Sequence, residues 1–233
     1  MGAMSAAEQD YLKQIYLQHE ASGRATTNDL AQRLGVKASS VTAMLKHLAD
    51  DPHGPYVRYR PYHGVELTER GLAVALEMLR HHRLIEQFLS ELLDMPWDRV
   101  HAEAERLEHV LSEELEERIA AKLGDPTHDP HGDPIPSREG IVPRRSARQL
   151  SELAPGESGC VAQITLQDQP VLRYLDSLGV RPGVQVAVEA VAPFGGVVTL
   201  RIGTPGTTQT LGESLARRIL VTPPAEKASG EDR

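Results

Sequence analysis

The stretch His101-Ala-Glu-Ala-Glu-Arg-Leu-Glu-His109 carries residue types that bind cations. On a helix turning about 100° per residue, His101, Glu105, Glu108 and His109 share an arc of roughly 100°. Glu103 and Arg106 face elsewhere and can pair in solvent. Val100, Ala104, Leu107, Leu111 and Leu115 border the arc, so the four polar groups sit at the rim of a buried face. Burial there is costly unless something neutralises them, and a divalent cation would. The competing reading is a Glu-rich solvated helix. A second pair, His82 and Glu86, is spaced i, i+4 within the apolar arc of Leu72, Leu76, Leu79, Ile85 and Leu89. Geometry limits how these groups combine. His101 and His109 lie roughly 12 Å apart along a helix axis, too far for one ion. Two sites are expected: His82, Glu86 and His101 in one, and Glu105, Glu108 and His109 in the other, with room for a further carboxylate.

Composition sets the frame for positioning these groups. The 233 residues, 40% hydrophobic and 25% charged, describe a globular chain with room for two or three small domains. A net charge of -8 argues against a non-specific polyanion binder. The acidity is concentrated: residues 76–140 hold 7 Lys and Arg against 16 Asp and Glu, which suits cation binding or a solvated helix. The single cysteine, Cys160, excludes an internal disulfide and a Cys-rich zinc site, and is expected to pack in a β core. No apolar run reaches about 18 residues and no charged-then-apolar leader opens the chain. A cytoplasmic protein without membrane span or signal peptide is expected, with Met1–Ala3 reading as a cloning scar.

Taken in order, residues 6–21 show helical spacing closed by Gly23. Thr27 is the expected N-cap of a short helix ending at Leu34-Gly35, and another helix starts at Ala38 or Ser39. Alternating segments 56–60 and 64–67 flank a Pro61-Tyr62-His63 turn, and the whole reads as a winged helix. Ser39, Ser40, Thr42 and Lys46 would enter a major groove, Thr27 is counted with them, and Lys37, Arg58 and Arg60 would reach phosphates. A winged helix used for protein contacts is the alternative. Because this segment is neutral overall, dimerisation is expected to accompany DNA binding. Thr68 caps a helix to about Leu93. A second helix is expected from Trp97 to Leu123, making a helical hairpin whose apolar stripes could form a dimer interface. Gly124–Pro143 reads as a linker. Strands are expected at 159–166, 185–191, 196–202 and 208–211, with a helix at 171–178.

Residues 5–222 resemble the diphtheria-toxin-repressor family of metal-dependent transcriptional repressors, close to its manganese-responsive members. The resemblance rests on Asp10-Tyr-Leu-Lys-Gln-Ile-Tyr16, Val36-Lys-Ala-Ser-Ser-Val-Thr42, Leu67-Thr-Glu-Arg-Gly71, His81-His-Arg-Leu-Ile-Glu86 and Glu105-Arg-Leu-Glu-His109. It implies one metal site at Asp10, Glu105, Glu108 and His109, joining the first helix to the dimerisation region. It implies a second at His82, Glu86 and His101, completed from the C-terminal domain near Gln167-Asp168-Gln169, with Asp168 the best hard ligand. Iron-responsive relatives carry Met and Cys where this chain has Asp10 and Glu105, so Mn(II) is expected over Fe(II). Short manganese regulators have a Glu where Lys13 stands, which favours two separated sites over a binuclear one. The linker's His128-Asp-Pro-His131 is taken as a family connection rather than as ligands.

The expected fold is mainly α with small β. It comprises a winged helix-turn-helix (residues 4–75), a helical metal-binding and dimerisation domain (76–143), an SH3-like β-barrel (144–224) and a flexible tail (225–233). The expected function is a homodimeric repressor that binds a palindromic double-stranded operator when loaded with Mn(II), or alternatively Fe(II), at two sites per chain. Small organic substrates and membranes are not expected partners. An enzyme reading, a metallohydrolase on the same ligands, finds no nucleophile elbow, phosphate loop or HExxH motif. A metal-storage protein is a third reading, which a lack of specific DNA binding would favour.

Overall fold

The structure is a computed structural model, described for residues 4–61, 63–194, 196–203 and 205–223. Met1–Ala3, Tyr62 and residues 225–233, on which the expected scar, turn and tail fall, lie outside the described residues. The chain divides into two compact units. One comprises Met1–Ile85, Ala104–Lys122 and Ile135–Val142, and the other Glu86–Glu103, Leu123–Pro134 and Pro143–Arg233.

In the first unit, α1 (Ala6–Ser22) starts at Ser5, whose side chain accepts from Glu8 N while Glu8 reciprocates to the Ser5 backbone. It buries Tyr11, Leu12 and Ile15 and ends at left-handed Gly23 (φ 71°). The next helix, α2 (Thr27–Leu34), is capped by Thr26 and not by Thr27: Thr26 Oγ1 accepts from Asp29 N at 3.2 Å. Thr26 and Thr27 are chemically equivalent caps, so sequence alone misplaces the start by one residue. Gly35 closes α2, and α3 (Ala38–Ala49) turns Val41, Leu45 and Leu48 inward. Strands β1 (Val57–Arg60) and β2 (Gly64–Leu67) pair antiparallel, Val57 opposite Leu67. Their alternation buries Val57 and Val65 and leaves Arg58 and Arg60 exposed. These elements share one core with Leu30 and Ala75.

Helix α4 (Glu69–Leu92) follows, with Thr68 Oγ1 accepting from Gly71 N. Gly71 is required there, because a Cβ would stand 2.0 Å from Tyr56 O. The single helix expected from Trp97 to Leu123 does not form. Instead α5 (Val100–Leu107) passes into a one-turn 3₁₀ helix at Glu108–Val110, and α6 (Glu113–Lys122) starts afresh. Leu111 is extended (ψ 122°), and Ser112 caps α6 through Leu115 N. Glu108 and His109 therefore leave the α-helical arc that their spacing implied.

The second unit holds the β structure. Its strands are β3 (Arg148–Gln149), β4 (Ser158–Ile164), β5 (Gln185–Val191), β6 (Val197–Ile202), β7 (Thr207–Gly212) and β8 (Ile219–Thr222), with helices α7 (Gln169–Ser177) and α8 (Glu213–Ala216) between them. They form one antiparallel sheet in the order β3-β8-β4-β5-β6-β7 around Val161, Ile164, Val186, Leu200 and Ile219. The period-two signal located β5 to β7 closely and missed β3 and β8, which are short. Cys160 is half-buried, not core: the inward positions of β4 are Val161 and Ile164.

The predicted linker is not a solvated connection. Asp129 and His131 are buried in the second unit, and Ile135 is buried in the first. Within the second unit the Asp129 carboxylate accepts the N–H groups of His131 and Asp133, and the His131 carbonyl accepts from Ile164 N at 2.9 Å. Backbone groups that a loop would give to water are paired inside the protein.

Candidate metal centre and nucleic-acid interface

Three of the sequence-predicted ligands of the first site come together. Asp10 of α1 and Glu108 and His109 of the 3₁₀ turn offer ligand atoms that all lie within 4.8 Å of one another. His109 Nε2 is 3.1 Å from Asp10 Oδ1 and 3.5 Å from Glu108 Oε1. His109 Nδ1 donates to Gln9 Oε1 at 2.8 Å, which fixes the tautomer and turns the Nε2 lone pair toward two carboxylates. Asp10 Oδ1 is buried and has no hydrogen-bond partner. Burial pushes the Asp10 carboxyl above its ordinary value, although His109 and Lys13 oppose the rise. Two carboxylates and an imidazole converging on one point are groups that fit a cation. The oxygen-rich donor set fits a divalent ion harder than one held by thiolate.

Glu105 lies across an ammonium group. Lys13, almost fully buried, places Nζ 2.9 Å from Glu105 Oε1 and in a short ion pair with Glu108 Oε1. Glu108 is also bonded by His82 Nδ1 at 2.6 Å through its other oxygen. Burial pushes Glu108 up, but His82 and Lys13 outweigh it and hold it below its ordinary value. Lys13 is depressed by burial and raised further by Glu108 and Glu105, with the net shift upward. Further positioning comes from residues that sequence reasoning did not assign. His81 bridges the Glu108 carbonyl at 3.2 Å and the Glu116 carboxylate at 3.1 Å, and Arg80 holds the other Glu116 oxygen. The i, i+1 pair His81-His82 was visible in the sequence, but the partners on α6 were not.

Of the second predicted site, Glu86 and His101 meet in the second unit, with His101 Nδ1 3.0 Å from Glu86 Oε1. Asp168 serves as the N-cap of α7 by accepting from Val171 N. His82 belongs to the first unit, where Glu108 holds it. Glu86 is also grouped with Asp129 and His131, all three buried. His131 Nε2 donates to Trp97 O at 2.8 Å. Burial pushes His131 down, and Glu86 overrides that to hold it above its ordinary value.

On the winged domain, Lys37 is exposed at the entry to α3, Ser39 and Ser40 in its first turn and Lys46 in its last. Thr42 is half-buried and donates to Ala38 O at 3.0 Å. Thr27 is half-buried at the start of α2, and Arg58 and Arg60 are exposed on β1. A helix with short polar residues at its N-terminal end beside a cationic strand is the surface that reads a major groove and grips the flanking backbone.

A winged helix-turn-helix together with a buried carboxylate–imidazole cluster that could hold a cation is the pattern of a metal-dependent DNA-binding protein. Comparison with known proteins gives its kinship. Residues 3–65 match the family model described as iron dependent repressor, N-terminal DNA binding domain. Residues 68–137 match iron dependent repressor, metal binding and dimerisation domain, and residues 148–223 match the FeoA domain. The iron-dependent repressor IdeR of Mycobacterium tuberculosis is 34% identical over 210 residues, covering 85% of this chain and 90% of that one. The regulator MntR of Geobacillus kaustophilus is 36% identical over 111 residues, covering 48% of this chain and 76% of its own. A solved manganese-dependent transcriptional repressor in complex with manganese is 41% identical, covers 93% of this chain and 99% of its own, and superposes with a TM-score of 0.84. The chain belongs to the iron-dependent repressor family of metal-dependent, DNA-binding transcriptional repressors, whose members are not enzymes. Its C-terminal sheet is the SH3-like FeoA domain of that family. Among the described residues no helix is long and apolar enough to cross a membrane.

Proposed function

We propose that this chain is a Mn(II)-responsive repressor that binds a palindromic operator as a homodimer in the cytoplasm. The observation that carries it is the convergence of Asp10, Glu108 and His109, whose ligand atoms all lie within 4.8 Å of one another, with Asp10 Oδ1 buried and without a hydrogen-bond partner. Asp10 stands on the helix that opens the winged domain, whereas Glu108 and His109 stand on the turn between α5 and α6. A bound divalent cation would supply positive charge that holds these carboxylates together and lowers their repulsion of DNA phosphate. The residues themselves do the rest: Gln9 orients His109, and His81 with His82 fixes Glu108. Any ion that tightens DNA binding must bind the DNA-competent arrangement more tightly than the other.

Manganese is favoured by the carboxylate-rich donors and by the 41% identity to a repressor solved with manganese. Iron is the second reading, favoured by the 34% identity to iron-dependent repressors over most of the chain. We take Glu86 and His101, which meet in the second unit, as part of a second ion site in this reading. Thr27, Lys37, Ser39, Ser40, Thr42, Lys46, Arg58 and Arg60 are its DNA-contact set. Leu107, Val110 and Leu115 are exposed, Val110 at 77%, and supply the apolar face a dimer would cover.

The test is operator titration, on DNA selected from a random pool, with Mn(II), anaerobic Fe(II) or chelator. Mn(II) is expected to tighten binding most, by about 5- to 150-fold over chelator. Equal affinity in all three conditions overturns the metal switch. A stronger response to Fe(II) than to Mn(II) transfers the reading to iron.

A further inference from the structure

We propose that Ala43 is a specificity-determining residue of the operator contact, its methyl group reading the C5 methyl of one thymine in each half-site. The inference rests on the repressor reading above and concerns which base the helix prefers. Beyond its first residue, Ala38, helix α3 exposes Ser39, Ser40, Ala43, Lys46 and His47. At about 100° per residue, Ser39 and Ser40 lie about 40° and 60° to either side of Ala43, and His47 and Lys46 lie at the same angles one turn on. Val41, Leu45 and Leu48, at 0–1% exposure, lie about 140–160° away on the opposite face. Ala43 is therefore the midline of the outward face. A helix laid in the major groove brings that midline closest to the base edges.

What Ala43 carries decides what it can read. Its side chain neither donates nor accepts, so it cannot tell bases apart by hydrogen bonding. The thymine C5 methyl is the apolar group that the major groove presents to it. Set against a base nitrogen or oxygen instead, the alanine methyl would strip water from a polar group and return nothing. The position thus favours one base and disfavours the others. Its neighbours on the helix are less selective. The Ser39 and Ser40 hydroxyls serve as donor or acceptor and suit several bases. The Thr42 hydroxyl donates to Ala38 O at 3.0 Å, and the His47 ring Nε2 is 2.8 Å from Glu8 Oε1. Lys46 stands in the last turn, where an ammonium suits phosphate. The short side chains at 39, 40 and 43 also let the α3 backbone approach the bases, as methyl–methyl contact at about 3.5–4.0 Å requires. Burying one methyl-sized group contributes about 0.8 kcal/mol, or about fourfold in affinity, so two half-sites give about fifteenfold.

The test uses the full-length protein with Mn(II), or anaerobic Fe(II) if that ion gives tighter binding, on the operator selected from the random pool. Each symmetry-related pair of thymines is replaced in turn by deoxyuridine, which removes the C5 methyl and keeps every hydrogen-bonding group. One pair is expected to weaken wild-type binding by about fifteenfold, and either member alone by about fourfold. In Ala43→Gly the same pair should change affinity by less than about twofold, with the response to every other pair unaltered. Ala43→Ser sets a hydroxyl against the methyl and is expected to lose the same preference, so it decides the matter if Ala43→Gly does not fold by circular dichroism. An operator whose affinity is indifferent to every deoxyuridine pair overturns the proposal and leaves the repressor reading standing. So does a sensitive pair that stays equally sensitive in a folded Ala43 variant. Failure to bind any selected DNA with either ion overturns both.

Discussion

Asp10→Ala is expected to abolish the Mn(II) response of operator binding. Asp10 is the one ligand of its group that stands on α1; Glu108 and His109 come from a turn about a hundred residues further along the chain. Removing it leaves two ligands on a single turn and no covalent or coordinate path from that turn to the helix that opens the winged domain. The ratio of operator affinities with Mn(II) and with chelator should fall from the 5- to 150-fold range typical of allosteric coupling to about one. The variant should remain folded. Burial holds the Asp10 carboxyl above its ordinary 3.8. A carboxyl whose folded value is raised opposes folding at pH values above its unfolded value. Metal-free Asp10→Ala is therefore expected to melt no lower than wild type at pH 7. A folded Asp10→Ala protein with the wild-type response would show that the coupling runs elsewhere.

Lys13→Met is expected to produce the largest loss of stability without metal, about 3 kcal/mol. Lys13 and Glu108 are both almost fully buried, and removing one member of a buried pair strands the other charge. The pH dependence follows from the two shifts. Glu108 has a folded pKa below 4.5, so its contribution is present above that value and disappears as pH falls through the lowered value. Lys13 has a folded pKa above 10.5, so its contribution is present below that value and is lost as pH rises through the raised one. The pair therefore stabilises between these limits, and Lys13→Met should flatten the alkaline limb of the melting profile. Added Mn(II) is expected to restore part of the loss, because a divalent ion can take the place of the ammonium beside Glu105 and Glu108. Restoration follows the linkage relation, roughly 2.7 kcal/mol at a hundredfold excess over Kd. Thermal melts from pH 4 to 11, with and without Mn(II), measure both effects. Wild-type melting in chelator at pH 7 would contradict the role given to Lys13.

The first 75 residues were legible because their signals are local. Gly23 and Gly35 stop helices, apolar spacing at Val41, Leu45 and Leu48 marks a face, and alternation in β1 and β2 marks a hairpin. The error there was one residue, where adjacent threonines compete for one cap. The break after Leu107 was harder. The apolar stripe from Val100 to Leu115 reads as one continuous helix, whereas Ser112 caps a new one at Glu113. That stripe is partly a surface: Leu107 and Leu115 are exposed, so their period reported something other than this chain's own core.

The candidate site divides the same way. Asp10, Glu108 and His109 were assembled from ligand chemistry and family resemblance. Lys13 departs from the family pattern in sequence, but its ion pairs with Glu105 and Glu108 are set by the fold. Pro and Gly around His131 read as a linker. Composition reports local backbone preference, whereas the burial of Asp129 and His131 depends on backbone pairing with β4, which no local pattern encodes.

Mn(II) affinity measured on the full-length protein in the absence and presence of saturating operator DNA tests the central claim most directly. Linkage requires that an ion which tightens DNA binding is itself bound more tightly by the DNA complex, and by the same factor. The account predicts that operator raises the affinity of the Asp10-dependent equivalent of Mn(II) by the factor found in the operator titration. An Mn(II) affinity unchanged by operator would contradict it.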